Sequence, residues 1–249
     1  MTIRQIAAAG MAFVRARRNL RRLRSRDQIA RHQQRQIARL LAHAARHFPY
    51  YRACAGLALN EWPVIDKQEQ LANFSALNLP GLSAQQVRDA LADGRGYIGG
   101  HAIGRSTGTS GNRGYYVISD AERFTWLGTI LAKALPDALW HRHRVALALP
   151  TEASLYHSAG AGSRIALRFF DLAQGPESWA QDLAIFDPDT LVAPPKVLRW
   201  LAERGQLTAR NVFSGAEVLD PLDRAVIEAA SGHCLREIYM ATEGLFGVS

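Results

Sequence analysis

A chain of 249 residues, 48% hydrophobic and 21% charged, is long enough to bury a substantial core as one large domain or two small ones, and its make-up is that of a globular protein. No apolar run approaches the roughly 18–20 residues that span a bilayer, and Cys54 and Cys234 stand far apart without redox or metal-ligand spacing, which excludes a disulfide scaffold and a zinc module. The net charge of +8 is uneven: residues 1–60 hold thirteen arginines and one acid, Asp27, for a balance of +12, and the remaining 189 residues carry −4.

The apolar run Ile6 to Val14 behind Arg4 has the look of a signal-peptide core, but the arginine-dense sequence after it offers no cleavage site. The expectation is a cytoplasmic protein with two reduced, buried thiols. Residues 1–55 read as helical, with Ile29, Ile37, Leu40, Leu41, Ala44 and Phe48 as the buried stripe. Residues 15–26 are the most basic stretch of the chain. They read either as a solvated helix face or as a site for an anionic surface, whether lipid or acidic protein, peripheral to a membrane in the lipid case. Nucleic acid is not expected, because no aromatic interleaving accompanies the charge.

Short helices and loops fill residues 60–93, with a turn at Trp62–Lys67 and a helix from Ser83 to Leu91. Gly94, Gly96 and Gly99 then satisfy G-x-G-x-x-G. That dinucleotide pattern must follow a strand and open a helix, whereas here it follows helix-like Val87–Ala92 and leads into a β-like run, so it is a chance match.

The loop that follows, Ser106-Thr107-Gly108-Thr109-Ser110-Gly111-Asn112-Arg113-Gly114, concentrates hydroxyls and glycines without a carboxylate. Glycine permits close backbone approach, and concave runs of N–H groups with hydroxyl donors bind anions, so the loop reads as a phosphate grip. A Walker loop would need Gly-Lys-Ser/Thr, and no lysine lies between Lys67 and Lys133. Gly104-x-Ser106-x-Gly108 also spells a nucleophile elbow, but that motif needs a helix directly after the serine. Here Tyr115–Ile118 intervenes as a strand. A capping box, Ser119 to Glu122, then opens a helix with Phe124, Leu127, Ile130, Leu131 and Ala134 on one face.

Strand and helix alternate from there on. Val145–Leu149, Ile165–Phe170, Thr190–Val192, Asn211–Phe213 and Leu235–Tyr239 read as strands. Pro194-Pro195 opens a helix that Gly205 stops, and Asp220 caps another that ends near Gly232. The pattern predicts an α/β fold with a mostly parallel sheet flanked by helices. Two strand ends carry polar sequence that folding does not require: Ser214-Gly215-Ala216-Glu217, and Tyr239-Met240-Ala241-Thr242-Glu243-Gly244. Strand carboxyl ends are where such sheets bind ligands. With the 106–114 loop, these ends offer phosphate donors, an aromatic stacking face at Tyr239 and a carboxylate for magnesium at Glu243, the parts of a nucleotide site.

These three segments, in this order, resemble the adenylate-forming superfamily of acyl-CoA synthetases, adenylation domains and luciferases. Ser106–Gly111 is similar to its glycine-rich phosphate loop, Ser214–Glu217 to its adenine-side loop, and Tyr239–Glu243 to its Tyr-x-x-Thr-Glu motif. His47–Arg52, Leu155–His157 and Leu191–Leu198 resemble the phenylacetate–CoA ligase-like branch. The resemblance covers most of residues 40–249.

The resemblance implies the N-terminal part of the large domain of an adenylate-forming enzyme, with residues 1–60 a basic helical segment and 61–249 an incomplete nucleotide-binding core. It implies ATP and magnesium as cofactors, a carboxylic acid as substrate, and the thiol of CoA or of a carrier protein as acceptor. Thr107, Thr109 and Ser110, with Ser106, Gly108 and Gly111, would hold the β- and γ-phosphates. Thr242 would meet the α-phosphate and Glu243 the magnesium, the two groups closest to catalysis. Tyr239, Gly215, Ala216 and Glu217 would flank adenine. Two departures stand out. The loop ends Gly111-Asn112-Arg113-Gly114 where the family commonly has Gly-x-Pro-Lys, so Arg113 would be the cation, as a fork-shaped donor in place of a point charge. The family's ribose-binding aspartate, hinge and small C-terminal domain have no counterpart, so a fragment or a truncated protein is expected. The alternatives are a catalytically inactive nucleotide-binding or scaffold protein, and a serine hydrolase using Ser106.

Overall fold

The computed structural model describes residues 2–105, 114–149, 164–241 and 244–249. The chain divides into two compact units, one of Arg15–Asp120 and one of Met1–Val14 with Ala121–Ser249.

The latter unit is built on a six-stranded sheet. Its strands are β4 (His143–Leu149), β5 (Ile165–Asp171), β6 (Thr190–Ala193), β7 (Asn211–Ser214), β8 (Arg236–Ala241) and β9 (Gly244–Val248). They lie in the order β5-β4-β6-β7-β8-β9, and every neighbouring pair is parallel except β8–β9. The fold is α/β with a mostly parallel sheet, as the alternating pattern predicts.

The continuous apolar run of β4 shows why this sheet is covered on both faces. Successive residues point to opposite sides: Ala146 and Ala148 enter one core cluster, Val145 and Leu147 the other. The first cluster also takes Leu191 and Val212 from neighbouring strands. Its helical side comes from α6 (Pro176–Phe186), α7 (Pro195–Glu203) and α8 (Pro221–Ser231), through Trp179, Leu183, Leu198, Leu201 and Ile227.

Helix boundaries follow local chemistry. Pro195 occupies the first turn of α7, where its missing N–H costs nothing. The Asp220 carboxylate accepts the Leu222 N–H at 2.7 Å to start α8, and Gly232 at φ 69° ends it. The helix α6 was not isolated by the strand-by-strand pattern of the sequence. It opens on Pro176 after Gly175 and closes on Asp187 in the left-handed conformation.

Two further contacts tie this unit together. Arg236 at the start of β8 donates to the carbonyls of Lys133 (2.9 Å) and Ala134 (3.3 Å), the last residues of α5 (Asp120–Ala134). Its guanidinium also lies 4.6 Å from the centre of the Phe213 ring. At the start of β4, the buried His143 sits between Asp137 (3.1 Å) and Asp189 (3.2 Å). On α5, Phe124 and Leu127 are buried as their spacing predicts, against Ala8 and Ala9 of α1 (Ile3–Arg22).

The other unit holds α2 (Arg26–His47), α3 (Lys67–Ala72), α4 (Ala84–Ala92) and an antiparallel sheet of β1 (Tyr97–Ile98), β2 (His101–Arg105) and β3 (Tyr115–Ser119). Its core cluster is small: Phe74, Val87, Ala90 and Ile103. A reciprocal capping box between Ser25 and Gln28 opens α2. The stripe predicted for this helix needs correction. Ile29, Ile37 and Leu40 are exposed, and the buried residues of α2 are Ala44 and Ala45. Helical spacing selects a face without guaranteeing that a neighbour covers it.

Past α2, the segment that includes Pro49–Cys54 forms a short 3₁₀ turn in which Tyr51 packs on Trp62 with ring centres 5.0 Å apart. The Tyr50 hydroxyl donates to the Glu69 carboxylate, which pushes that phenol up to about 12. The cysteine expectation holds for Cys54, which is buried, and fails for Cys234, which is exposed in the turn between α8 and β8. Among the described residues, no helix is long and apolar enough to cross a membrane.

Candidate nucleotide site

The carboxyl ends of β6 and β7 lie side by side, next to the start of β8, which runs on past them. Ala193 pairs with Ser214, and Ser214 with Glu237. The Gly215 N–H continues the ladder by donating to the Ala193 carbonyl at 3.2 Å. A Cβ built on Gly215 would sit 3.6 Å from the Ile238 carbonyl oxygen, so the turn after β7 runs close against the residue preceding Tyr239. The structure thereby brings Gly215 close to the backbone just before Tyr239, two of the residues singled out in the sequence.

Their exposure suits a ligand face. Gly215 is buried, while Ala216 and Glu217 are exposed and Tyr239 is 68% exposed. Ala216 takes φ 68°, a left-handed conformation that costs an alanine roughly 1–2 kcal/mol. Strain of this kind persists where the surroundings over-determine it, often at ligand sites. Just before it, the Ser214 side chain is buried at 2% exposure, and its hydroxyl has no hydrogen-bond partner among the described residues. Buried polar atoms are nearly always satisfied, and an exception invites a ligand or an ordered water. The sequence places Ser214 in the polar turn but assigns it no role, since burial and partner are tertiary properties and no local signal marks them.

Strand order adds a second feature that no single sequence displays. From β4 the chain passes to β5 on one side, then crosses to β6 on the other, so the connections diverge at β4/β6. In open α/β sheets such a reversal opens a crevice at the carboxyl ends, the usual ligand position. Ala193-Pro194-Pro195 lies at that reversal, one strand from the Ser214 turn. The segment after β4, with Leu155–His157, is outside the described residues.

The phosphate-loop residues Ser106, Thr107, Gly108, Thr109, Ser110, Gly111 and Arg113 also fall outside the described residues, as do Thr242 and Glu243. What the structure does describe is the frame of the loop. Arg105 at the end of β2 pairs directly with Tyr115 at the start of β3, so residues 106–114 bridge an antiparallel hairpin. The next described element after Ser106 is a strand, which is not the strand–turn–helix context of a nucleophile elbow. Likewise Gly94–Gly99 follows α4 and contains β1, with no helix after it, so the dinucleotide pattern is a chance match, as expected. Among the described residues no cluster of His, Cys, Asp or Glu assembles a metal site.

The sheet is mostly parallel, with one strained residue, Ala216, and one buried hydroxyl without a partner among the described residues, Ser214, at the end of β7, where open α/β sheets bind ligands. No protein-family model matches the chain, and no curated protein matches it by sequence. Solved structures do. An open conformation of 2-hydroxyisobutyryl-CoA ligase, in complex with 2-HIB-AMP and CoA, matches over 90% of this chain and 56% of the ligase, with a TM-score of 0.53 and 18% identity. A malonyl-CoA ligase with methylmalonyl-CoA and AMP bound matches over 59% of this chain and 34% of its own, at TM-score 0.43 and 23% identity. The anthranilate CoA ligase AuaEII, in complex with anthranoyl-AMP, matches over 58% and 30%, at TM-score 0.41 and 15% identity. The chain thus spans little more than half the length of the first and about a third of the others. The match to the first is a likeness of fold: this chain carries part of the fold of an adenylate-forming CoA ligase.

Proposed function

We propose that the protein activates a carboxylic acid with ATP. A carboxylate oxygen attacks the α-phosphorus, the bond to the bridging oxygen breaks, and pyrophosphate leaves with that electron pair. A thiolate, from CoA or from a carrier protein, then attacks the acyl carbon of the adenylate and AMP departs. The observation that carries this reading is Gly215, in the turn that ends β7, lying close to the Ile238 carbonyl just before Tyr239. It agrees with the motif likeness, in which these residues flank adenine, and with the 2-HIB-AMP held by the 2-hydroxyisobutyryl-CoA ligase of similar fold.

In this proposal Thr107, Thr109 and Ser110, with Ser106, Gly108, Gly111 and Arg113, grip the β- and γ-phosphates, and Thr242 orients the α-phosphate. Glu243 is the proposed magnesium ligand, the metal offsetting phosphate charge when bound. The motifs favour the phenylacetate–CoA ligase-like branch.

The test is ATP–pyrophosphate exchange over a panel of carboxylic acids, with this chain and with any longer natural form of it. Acid-dependent exchange is expected, falling roughly a hundredfold in Glu243→Gln with little change in melting temperature. Absence of exchange from both forms, with ATP still bound, would establish the nucleotide-binding scaffold instead. Labelling by an active-site serine probe, abolished in Ser106→Ala, would establish the hydrolase.

A further inference from the structure

We propose that α1 is a docking helix for an anionic lipid surface, fixed by its inner face and presenting Ile3, Met11 and Val14 to the acyl boundary and Arg18, Arg21 and Arg22 to the phosphates. This goes beyond the proposed reaction and does not depend on it.

The inner face is built for permanent packing. Ala8 and Ala9 lie against Phe124 and Leu127, and Ala12 and Phe13 are each 3% exposed. Gly128 on α5 admits the Ala9 backbone so closely that any Cβ there would collide with the Ala9 carbonyl oxygen. Only small residues allow helices to approach in this way, and α1 therefore has no room to roll its larger apolar side chains inward.

Those side chains point out. Ile3 is 87%, Met11 70% and Val14 60% exposed, and Ala7, Arg18, Arg21 and Arg22 are exposed as well. At 100° per residue, positions 3, 7, 11, 14, 18, 21 and 22 form one stripe opposite the alanines. Along a helix about 30 Å long, the stripe is mostly apolar in its first three turns, with the exposed Arg4 at its margin, and basic in its last two. Arginines suit the carboxyl end of a helix dipole, but the dipole does not account for exposed isoleucine, methionine and valine.

Charge and apolarity together select the occupant. Residues 1–26 hold eight arginines and no acid. A second copy of the chain would set like charges against each other. An apolar protein surface would strip water from guanidinium groups, and an acidic protein would leave Ile3, Met11 and Val14 in water. The boundary of an anionic bilayer offers acyl chains and phosphates within a few ångströms of each other, and arginine stems reach from one to the other.

The test is co-sedimentation of the full chain with vesicles of phosphatidylcholine alone and with about 30% phosphatidylglycerol. Binding is expected to the anionic vesicles and to be about tenfold weaker, or more, in Met11→Glu/Val14→Glu and in Arg18→Glu/Arg21→Glu/Arg22→Glu, with unchanged melting curves. A polarity-sensitive dye on Val14→Cys, in a Cys234→Ser background, should shift to the blue on the same vesicles, and a dye on Val64→Cys should not. No binding to anionic vesicles at low salt would overturn the proposal. So would full binding by the Met11/Val14 variant, equal dye shifts at both positions, or capture by an acidic carrier protein without any by vesicles.

Discussion

In the proposed nucleotide site, Ser214 and Ala216 are the residues at which folding and binding would disagree. A buried hydroxyl without a partner costs about 1–3 kcal/mol, and an alanine at φ 68° is held against its own preference. Removing either should therefore help the fold and harm the site. In urea unfolding, Ser214→Ala is expected to be as stable as the natural protein or up to about 1 kcal/mol more so. Its affinity for ATP, measured by calorimetry, should fall several-fold. A loss of stability near 2 kcal/mol would show instead that the hydroxyl already has a partner in the folded protein. Glycine and hydroxyls were visible in the sequence at 214–217, so the turn was legible. That the strain falls on Ala216 and not on Gly215 was not, because φ is set by how β7 hands the chain past β8.

Among the elements, α1 and α2 make the clearest contrast. Both carry apolar residues at helical spacing, and that spacing cannot say which residues will be covered. On α1 the covered face is the one with alanines, since only they let the helix approach Gly128. Gly128→Val should accordingly destabilise the protein by about 2 kcal/mol, the scale of an overpacked core, read as a lower urea midpoint. An unchanged midpoint would mean that α1 is not seated there in solution. On α2 the larger apolar residues stay exposed and Ala44 and Ala45 are buried. Helix ends were more legible than helix faces: Asp220, Gly232 and Pro195 act through backbone groups only a few residues away.

The whole molecule joins a well-buried unit to a thinly buried one. Residues 121–249 build two clusters on either face of a six-stranded sheet, while the other unit relies on Phe74, Val87, Ala90 and Ile103 as its core cluster. Local opening follows the amount of apolar surface that must be exposed. Amide exchange should be slowest in β4, β6 and β7 and clearly faster in α4 and β1–β3. Equal protection in the two units would contradict this. The charge division runs along similar lines, with +12 in residues 1–60 against −4 in the remainder, so ionic strength should act mainly through the basic end.

By itself the sequence determined what depends on neighbours in the chain: the strand and helix alternation, the caps, the loop between two strands at 106–114, and the excess of arginine at the start. Backbone hydrogen bonding and side-chain period are short-range, so they can be read without coordinates. The tertiary structure decided the rest. It placed β6 and β7 between β4 and β8, which sets Ser214 beside Glu237. It buried a hydroxyl that looks ordinary in sequence, and it turned Ile3, Met11 and Val14 outward because Gly128 and the alanines of α1 already fill the inner face. Those outcomes depend on which surfaces meet across long stretches of chain, and no local pattern encodes that.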